Sequence, residues 1–462
     1  MSRTPSNKQS ERKPRILLIA EAANPLNVSV SLIGWLHSRA LAEVADIHLV
    51  TESRNREAIL ETGLAESEFT SIDASAGHGL AWKLALFLRG GTNLGWTINS
   101  ALYTLTYPYF EWKVWRQFGE RLKRGEFDLV HRLTPLSPTN PSLLARKCGQ
   151  HGIPFILGPL NGGLPWPKGF GDIRRKEKEW LGYVRDLYKI LPGYRSTRKN
   201  ARAIMVASGA TWEQIPAQYH DKCIYIPENG IESGRFAQAV EHTHTLPLKV
   251  AFTGRLVPYK GADMVLEAAA PLIRDGKVVL DIIGDGTEMP RLKEFVAREK
   301  LGDGVKLDGW VEHTQVHKRL GQSDVFAFPS IREFGGAVVI EAMALGLVPI
   351  VVNYGGPGES VTNSTGFTVP LGTRAEIILS LRKVLNEMVA DPGKLFAMSR
   401  RAKEHAIHYF TWEAKARQVL EVYRWVLGQR ADKPDFGMPF HEVQAGINGV
   451  VQKDISSLVA AK

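Results

Sequence analysis

Cysteine is almost missing from this sequence: Cys148 and Cys223 are the two in 462 residues. Two distant cysteines make neither a disulfide framework nor a metal-ligand spacing, which excludes disulfide-stapled secreted domains and zinc modules. No apolar run approaches the roughly 18–20 residues that span a bilayer. The first fourteen residues are polar and hold no signal-peptide core. These absences lead to the expectation of a cytoplasmic protein. Repeats and low-complexity tracts are lacking too, and no nucleic-acid-binding module is recognisable, so no nucleic acid partner is expected.

Acidic excess is also lacking, and the net charge is +10. Residues 1–240 hold 31 Lys and Arg against 22 Asp and Glu, whereas residues 241–462 hold 27 against 26. The positive excess of the first half is either a solvated surface or a face for an anionic partner. Length favours two domains. Strands are expected at 15–20, 47–50, 127–131, 154–158, 203–208 and 223–227, then at 248–254, 278–284, 305–309, 324–330, 348–352 and 367–370. Their apolar runs do not alternate, as in parallel sheets covered on both faces. The fold class is therefore α/β, two doubly wound Rossmann-like domains facing across a cleft. Residues 1–14 read as a disordered tail, 15–240 as the first domain, 241–410 as the second, and 411–430 as an amphipathic helix. Thr411 caps that helix, and Val419, Leu420, Tyr423 and Leu427 share one face. Residues 431–462 carry no readable pattern.

The chemistry concentrates in the second half. Glu333 and Glu341 flank Phe334-Gly335-Gly336-Ala337, a strand-to-helix loop. A helix N-terminus there offers backbone N–H groups to a phosphate, between two carboxylates able to accept hydroxyls. Upstream, Gly254 ends a strand, and Arg255 and Lys260 occupy the following loop, two cations suited to a pyrophosphate. Gly284 and Gly286 follow another strand and permit close backbone approach. Met289 stands where a dinucleotide fingerprint needs its third glycine, which disfavours an NAD site.

This ordered set, with Ser323–Ser330, Gly355-Gly356 and Glu359, resembles the retaining glycosyltransferases of family 4, which have the GT-B architecture. Pro227-Glu-Asn-Gly-Ile231 is similar to the family's interdomain segment, and 411–427 to its closing helix, which crosses back to the first domain. The resemblance covers 223–427 closely and the first domain in outline. It implies that Arg255 and Lys260 bind the donor diphosphate and that Glu333 holds hydroxyls of the transferred sugar. It also implies that Phe334, Gly335, Gly336 and Ala337 touch sugar and phosphate, that Glu341 grips the ribose, and that Gly254, Gly284 and Gly286 lie near the nucleotide. No Asp-x-Asp pair occurs, so a metal-independent enzyme is expected, with no cofactor beyond the nucleoside-diphosphate sugar.

The first domain departs from the family. Its first loop reads Glu21-Ala-Ala-Asn-Pro-Leu-Asn-Val-Ser29 in place of a glycine pair, leaving Asn27–Ser29 for backbone approach. His131 is the nearest substitute for the family's active-site histidine, and is either a sugar or acceptor contact or a satisfied strand-end histidine. The loop at 158–167 is a rigid turn or a sugar-binding lip, with Asn161 and Gly162 for hydroxyls and Trp166 for a pyranose face. Basic residues interleave with aromatics at 82–124, and ten Lys or Arg fall within 174–202. These segments are solvated helix faces or an interfacial surface for an anionic membrane and a lipid-linked acceptor. The expectation is a retaining transfer of sugar to a glycan, lipid-linked or small hydroxyl acceptor, in polysaccharide, lipopolysaccharide or glycolipid assembly. A sugar phosphorylase, a nucleotide-sugar epimerase and a non-catalytic nucleotide-sugar binder are the alternatives.

Overall fold

The computed structural model describes residues 12–75, 96–167, 169–171, 189, 193–236 and 245–439. Two parallel sheets form, one in each half of the chain. The first runs β3 (Phe69–Ile72), β2 (Asp46–Glu52), β1 (Arg15–Ala20), β4 (Leu129–Thr134), β5 (Phe155–Leu160), β6 (Ala203–Val206), β7 (Cys223–Tyr225). The second runs β10 (Val305–Gly309), β9 (Val278–Ile283), β8 (Leu248–Thr253), β11 (Val325–Phe328), β12 (Val348–Val352), β13 (Phe367–Val369). The central strands β4, β5, β11 and β12 are buried along their whole length, which is why their sequences do not alternate.

Strand order reverses between β1 and β4 in one sheet and between β8 and β11 in the other. Ligands of such sheets bind outside the carboxyl ends of the strands at this reversal. The loops after β8 and β11 are 254–261 and 329–336, the two donor segments expected from the sequence. Each strand expected from the sequence is present, with ends moved by at most three residues. The addition is the edge strand β3, whose Phe69-Thr-Ser-Ile72 sequence is too short and polar to stand out.

The chain crosses between domains twice, and the crossings are stitched together. Ile231 N donates to Phe410 O at 2.8 Å, and Trp412 N donates to Ile231 O at 3.0 Å. The helix Trp412–Val426 then returns to the first domain, with the Thr411 side chain accepting from Ala414 N as its cap. Ala416, Val419, Val422 and Tyr423 join Ile16, Leu18, Leu129 and Met205 in one apolar core. Leu420 and Leu427 are half-buried at its edge. Part of the tail also has a place, since Met438 is buried and Lys433 Nζ donates to Cys223 O at 3.3 Å. Among the described residues no helix is long and apolar enough to cross a membrane. Of the expected tails, 1–14 and 431–462, residues 1–11 and 440–462 lie outside the described residues, as do most of the basic run at 174–202 and Trp82, Lys83, Phe87 and Arg89, whereas Arg12 is held by Asp128 at 2.8 Å.

Candidate active site

The helix Ala337–Ala344 starts at Gly336, which takes a left-handed conformation (φ 62°) and supplies no side-chain cap. Its first N–H groups therefore have no partner within the helix. Glu341 lies one turn in, with its carboxylate 3.3 Å from His317 Nε2. Lys260 forms an ion pair with Glu333, both side chains being largely buried. The Lys260 ammonium also sits 5.2 Å over the Phe328 ring, which fixes its stem. Arg255 is exposed beside it and donates to the Tyr259 hydroxyl at 2.7 Å. The structure thus gathers Arg255, Lys260, Glu333, the loop 334–337 and Glu341 at the sheet's reversal point.

The glycines of this half serve backbone packing. A Cβ on Gly284 would strike the Gly254 carbonyl, and one on Gly286 the Leu256 carbonyl. Gly356 N donates to Phe334 O at 3.0 Å, so the Gly355 turn supports the loop that begins at Glu333.

On the first-domain side the expected residues fall differently. His131 is fully buried: its Nε2 contacts Gly158 O and its Nδ1 the Tyr423 hydroxyl, each at 2.7 Å. A carbonyl only accepts, so Nε2 carries the proton and Nδ1 accepts from Tyr423. Burial pushes the His131 pKa down to about 4, leaving it neutral at pH 7. Of the two readings of His131, these contacts fit the satisfied strand-end histidine and not the catalytic contact, and they tie β4 to the crossing helix. Asn161 is engaged at both ends, its Nδ2 donating to Glu228 at 2.5 Å and its Oδ1 accepting from Ser208 at 3.3 Å. Gly162 bonds Thr211 through both backbone groups. Both residues therefore hold the loop in place.

Trp166 does reach the cleft. Arg332 stacks 4.7 Å from its ring and Tyr259 meets it edge-on at 6.2 Å. Asn27 is exposed on a loop anchored from behind, where Asn24 Nδ2 donates to Asn55 Oδ1 at 3.1 Å and Asn55 Nδ2 to Glu21 O at 2.8 Å.

Two residues that sequence reasoning did not assign to the site join the domains. Both Glu359 oxygens accept from Gly209 N at 3.0 Å, and one also accepts from the Tyr225 hydroxyl. Glu228 lies buried beneath Asn161. Their signal was faint: one carboxylate beside each of two glycine turns, in segments otherwise read for their backbone. Among the described residues no group of three His, Cys, Asp or Glu side chains is arranged to hold a metal ion.

Residues 237–405 match the family model for glycosyl transferases group 1. The second domain is thus similar to group 1 glycosyltransferase domains. A glycogen synthase of Mycobacterium tuberculosis is 29% identical over 202 residues, 43% of this chain and 48% of the relative. A D-inositol 3-phosphate glycosyltransferase of Rhodococcus jostii is 36% identical over 187 residues, 38% of this chain and 40% of the relative. The matched part is therefore less than half the length of each. Over the whole fold the chain resembles Anabaena HepE, solved with UDP, at a TM-score of 0.56 and 16% identity, covering 88% of this chain and 99% of that one. The matched segment thus lies in the second half of a fold of GT-B type.

Proposed function

We propose that this protein is a retaining glycosyltransferase that moves a sugar from a nucleoside-diphosphate sugar to a hydroxyl acceptor, without a metal. The observation that carries the reading is the Lys260–Glu333 pair at the mouth of the helix Ala337–Ala344. The helix terminus, Lys260 and Arg255 receive the diphosphate, Glu333 accepts hydroxyls of the sugar, and Glu341 accepts those of the ribose. The UDP bound to HepE supports a nucleoside diphosphate in this cleft. In the reaction the bond from the anomeric carbon to the phosphate oxygen breaks, and one to the acceptor oxygen forms on the same face. The acceptor's proton passes to the departing diphosphate. The two cations stabilise the charge that grows on that diphosphate, the usual work of a metal.

The test incubates the full chain with UDP-, GDP- and ADP-sugars and a pool of hydroxyl acceptors in the presence of EDTA. Acceptor-dependent release of nucleoside diphosphate is expected from wild type, and Glu333→Ala should lower it by roughly a hundredfold or more. Equal release from both would sink the transferase reading, and phosphorolysis of a glycoside would move it to a phosphorylase.

The acceptor belongs to cell-envelope or exopolysaccharide assembly in this reading, with the protein at an anionic membrane face. Support comes from the helix Trp96–Lys123, where Trp112 stacks on Tyr109 at 5.6 Å, Lys113 lies over Tyr109 and Arg116 over Trp112. These residues stand at i, i+3, i+4 and i+7, on one face. Co-flotation with anionic vesicles at low salt is expected, weakened in the double variant Trp112→Ala/Arg116→Ala. No flotation of wild type would remove the membrane from the proposal.

A further inference from the structure

Glu228 stands where three regions of the chain meet. It lies on the linker after β7 and is 4% exposed. Its Oε1 accepts from Asn161 Nδ2 of the first domain at 2.5 Å and from Asn229 Nδ2 at 3.3 Å. On the other side, a Cβ on Gly335 would overlap both the Glu228 carboxylate and the Asn229 amide. The carboxylate is thus pressed onto the backbone of the loop that carries Glu333. Its second oxygen, Oε2, is buried and accepts no hydrogen bond from the described residues.

The ionisable groups facing it come from three elements: Lys415 from the helix Trp412–Val426, Glu333 from the donor loop, and Tyr225 from β7. Lys415 in turn faces His37 of the helix Val30–Val44. Lys415 is itself fully buried, and its ammonium lies 5.0 Å over the Phe410 ring without a hydrogen-bond acceptor among the described residues. Burial pushes Glu228 up to about 7, with its own backbone N–H, Asn161 and Lys415 opposing and Glu333 adding to the rise. Burial brings Lys415 down to about 7, with Glu228 opposing.

We propose that Glu228 is a positioning residue of the donor site, a third carboxylate that holds the Gly335 turn against Asn161 and takes up a proton when the donor's diphosphate draws Lys260 from Glu333. The inference rests on the transferase reading above. While Lys260 neutralises Glu333, both carboxylates can be ionised. Once that cation turns to the diphosphate, two carboxylates and a diphosphate lie close together, and like charges disfavour one another. A solvent proton on Oε2 relieves this, because Oε2 has no partner to lose and Oε1 keeps accepting from Asn161. The one bond formed is O–H on Oε2, and the one broken is to the solvent or buffer acid that gives up the proton.

The test is titration calorimetry of the full chain with UDP-glucose, GDP-mannose and ADP-glucose, esters whose diphosphate carries no proton titrating near neutrality. Each is run at about pH 7.5 in two buffers of different ionisation heat. Wild type is expected to bind one of them with uptake of part of a proton, and Glu228→Gln with none. One linked proton changes affinity by at most about tenfold per pH unit. From about pH 7 to 8, wild type should therefore lose roughly three- to tenfold in affinity and Glu228→Gln less than about twofold. Lys415→Met removes the buried cation that opposes protonation and is expected to move the window to higher pH, a second reading that does not depend on Glu228→Gln folding. A merely structural role would change the melting temperature and leave the proton count alone. Binding with equal proton uptake in wild type and Glu228→Gln, or an unmoved window in Lys415→Met, overturns the role of Glu228. Binding of none of the three sugar nucleotides overturns the donor reading and this inference with it.

Discussion

In the proposed transferase Lys260 has two anions to serve, and the structure shows it paired with the protein's own. Paired with Glu333, it keeps that carboxylate in place and neutral in sum until a diphosphate competes for the same ammonium. Lys260→Ala is accordingly expected to do two things at once. It should cut the chemical step by roughly a hundred- to a thousandfold, as loss of a charge-stabilising group does, and it should weaken donor binding, since Glu333 is then an uncompensated anion beside the diphosphate. Steady-state kinetics checks this: a rise in KM with an unchanged kcat would mean that the cation only binds. Residues of this kind are legible in sequence because each belongs to a short run ending a strand. Glu228 and His131 are not, since their meaning lies in Asn161, Gly335 and Tyr423, which come from other elements.

At the scale of elements, buried carboxylates act as fasteners. Glu111, on the helix Trp96–Lys123, is fully buried, and its pKa is raised by that burial. It accepts from Ser142 Oγ at 2.7 Å, from Leu144 N at 3.2 Å and from Leu143 N. It thereby closes the N-terminus of the helix Leu143–Gln150, where a negative charge is favoured. Glu111→Ala leaves those donors dry, and a loss of roughly 2–4 kcal/mol is expected, read as a lower urea midpoint with little change in slope. Glu111→Gln should lose less. The parallel strands and the capped helix at 411 were readable because their signals are local: apolar runs, a threonine, a heptad-like face. The anchoring of the first loop through Asn24 and Asn55 was not, because amides sit in loops for many reasons and the pairing appears once β1 and β2 are side by side.

For the whole molecule, buried histidines set the acid limit. Burial lowers His37 to about 3, and His131 and His405 to about 4, from an ordinary 6.5. Unfolded, each binds its proton near 6.5, so the stability that comes from keeping them neutral is fully present above that pH and is lost as pH falls toward 4. Glu228 works the other way: raised to about 7 from 4.5, it favours the folded state at low pH and loses that contribution as pH rises through 7. With His48 also lowered by burial and Glu111 also raised, four histidines oppose two carboxylates, and the melting temperature should fall between about pH 6.5 and 4.5. A flat or rising melting temperature on acidification would contradict the buried, neutral histidines. Lys415, lowered to about 7 from 10.5, adds stability as pH climbs above 7.

The crossing helix has a consequence for how the protein is made. Tyr423 donates to a histidine that precedes it by 292 residues, and Ala416, Val419 and Val422 complete the core around Ile16, Leu18 and Leu129. A ribosome therefore delivers the first domain with one apolar side open, and does not deliver its cover until nearly the whole second domain has been synthesised. The nascent first domain waits, with that side uncovered, for the helix Trp412–Val426.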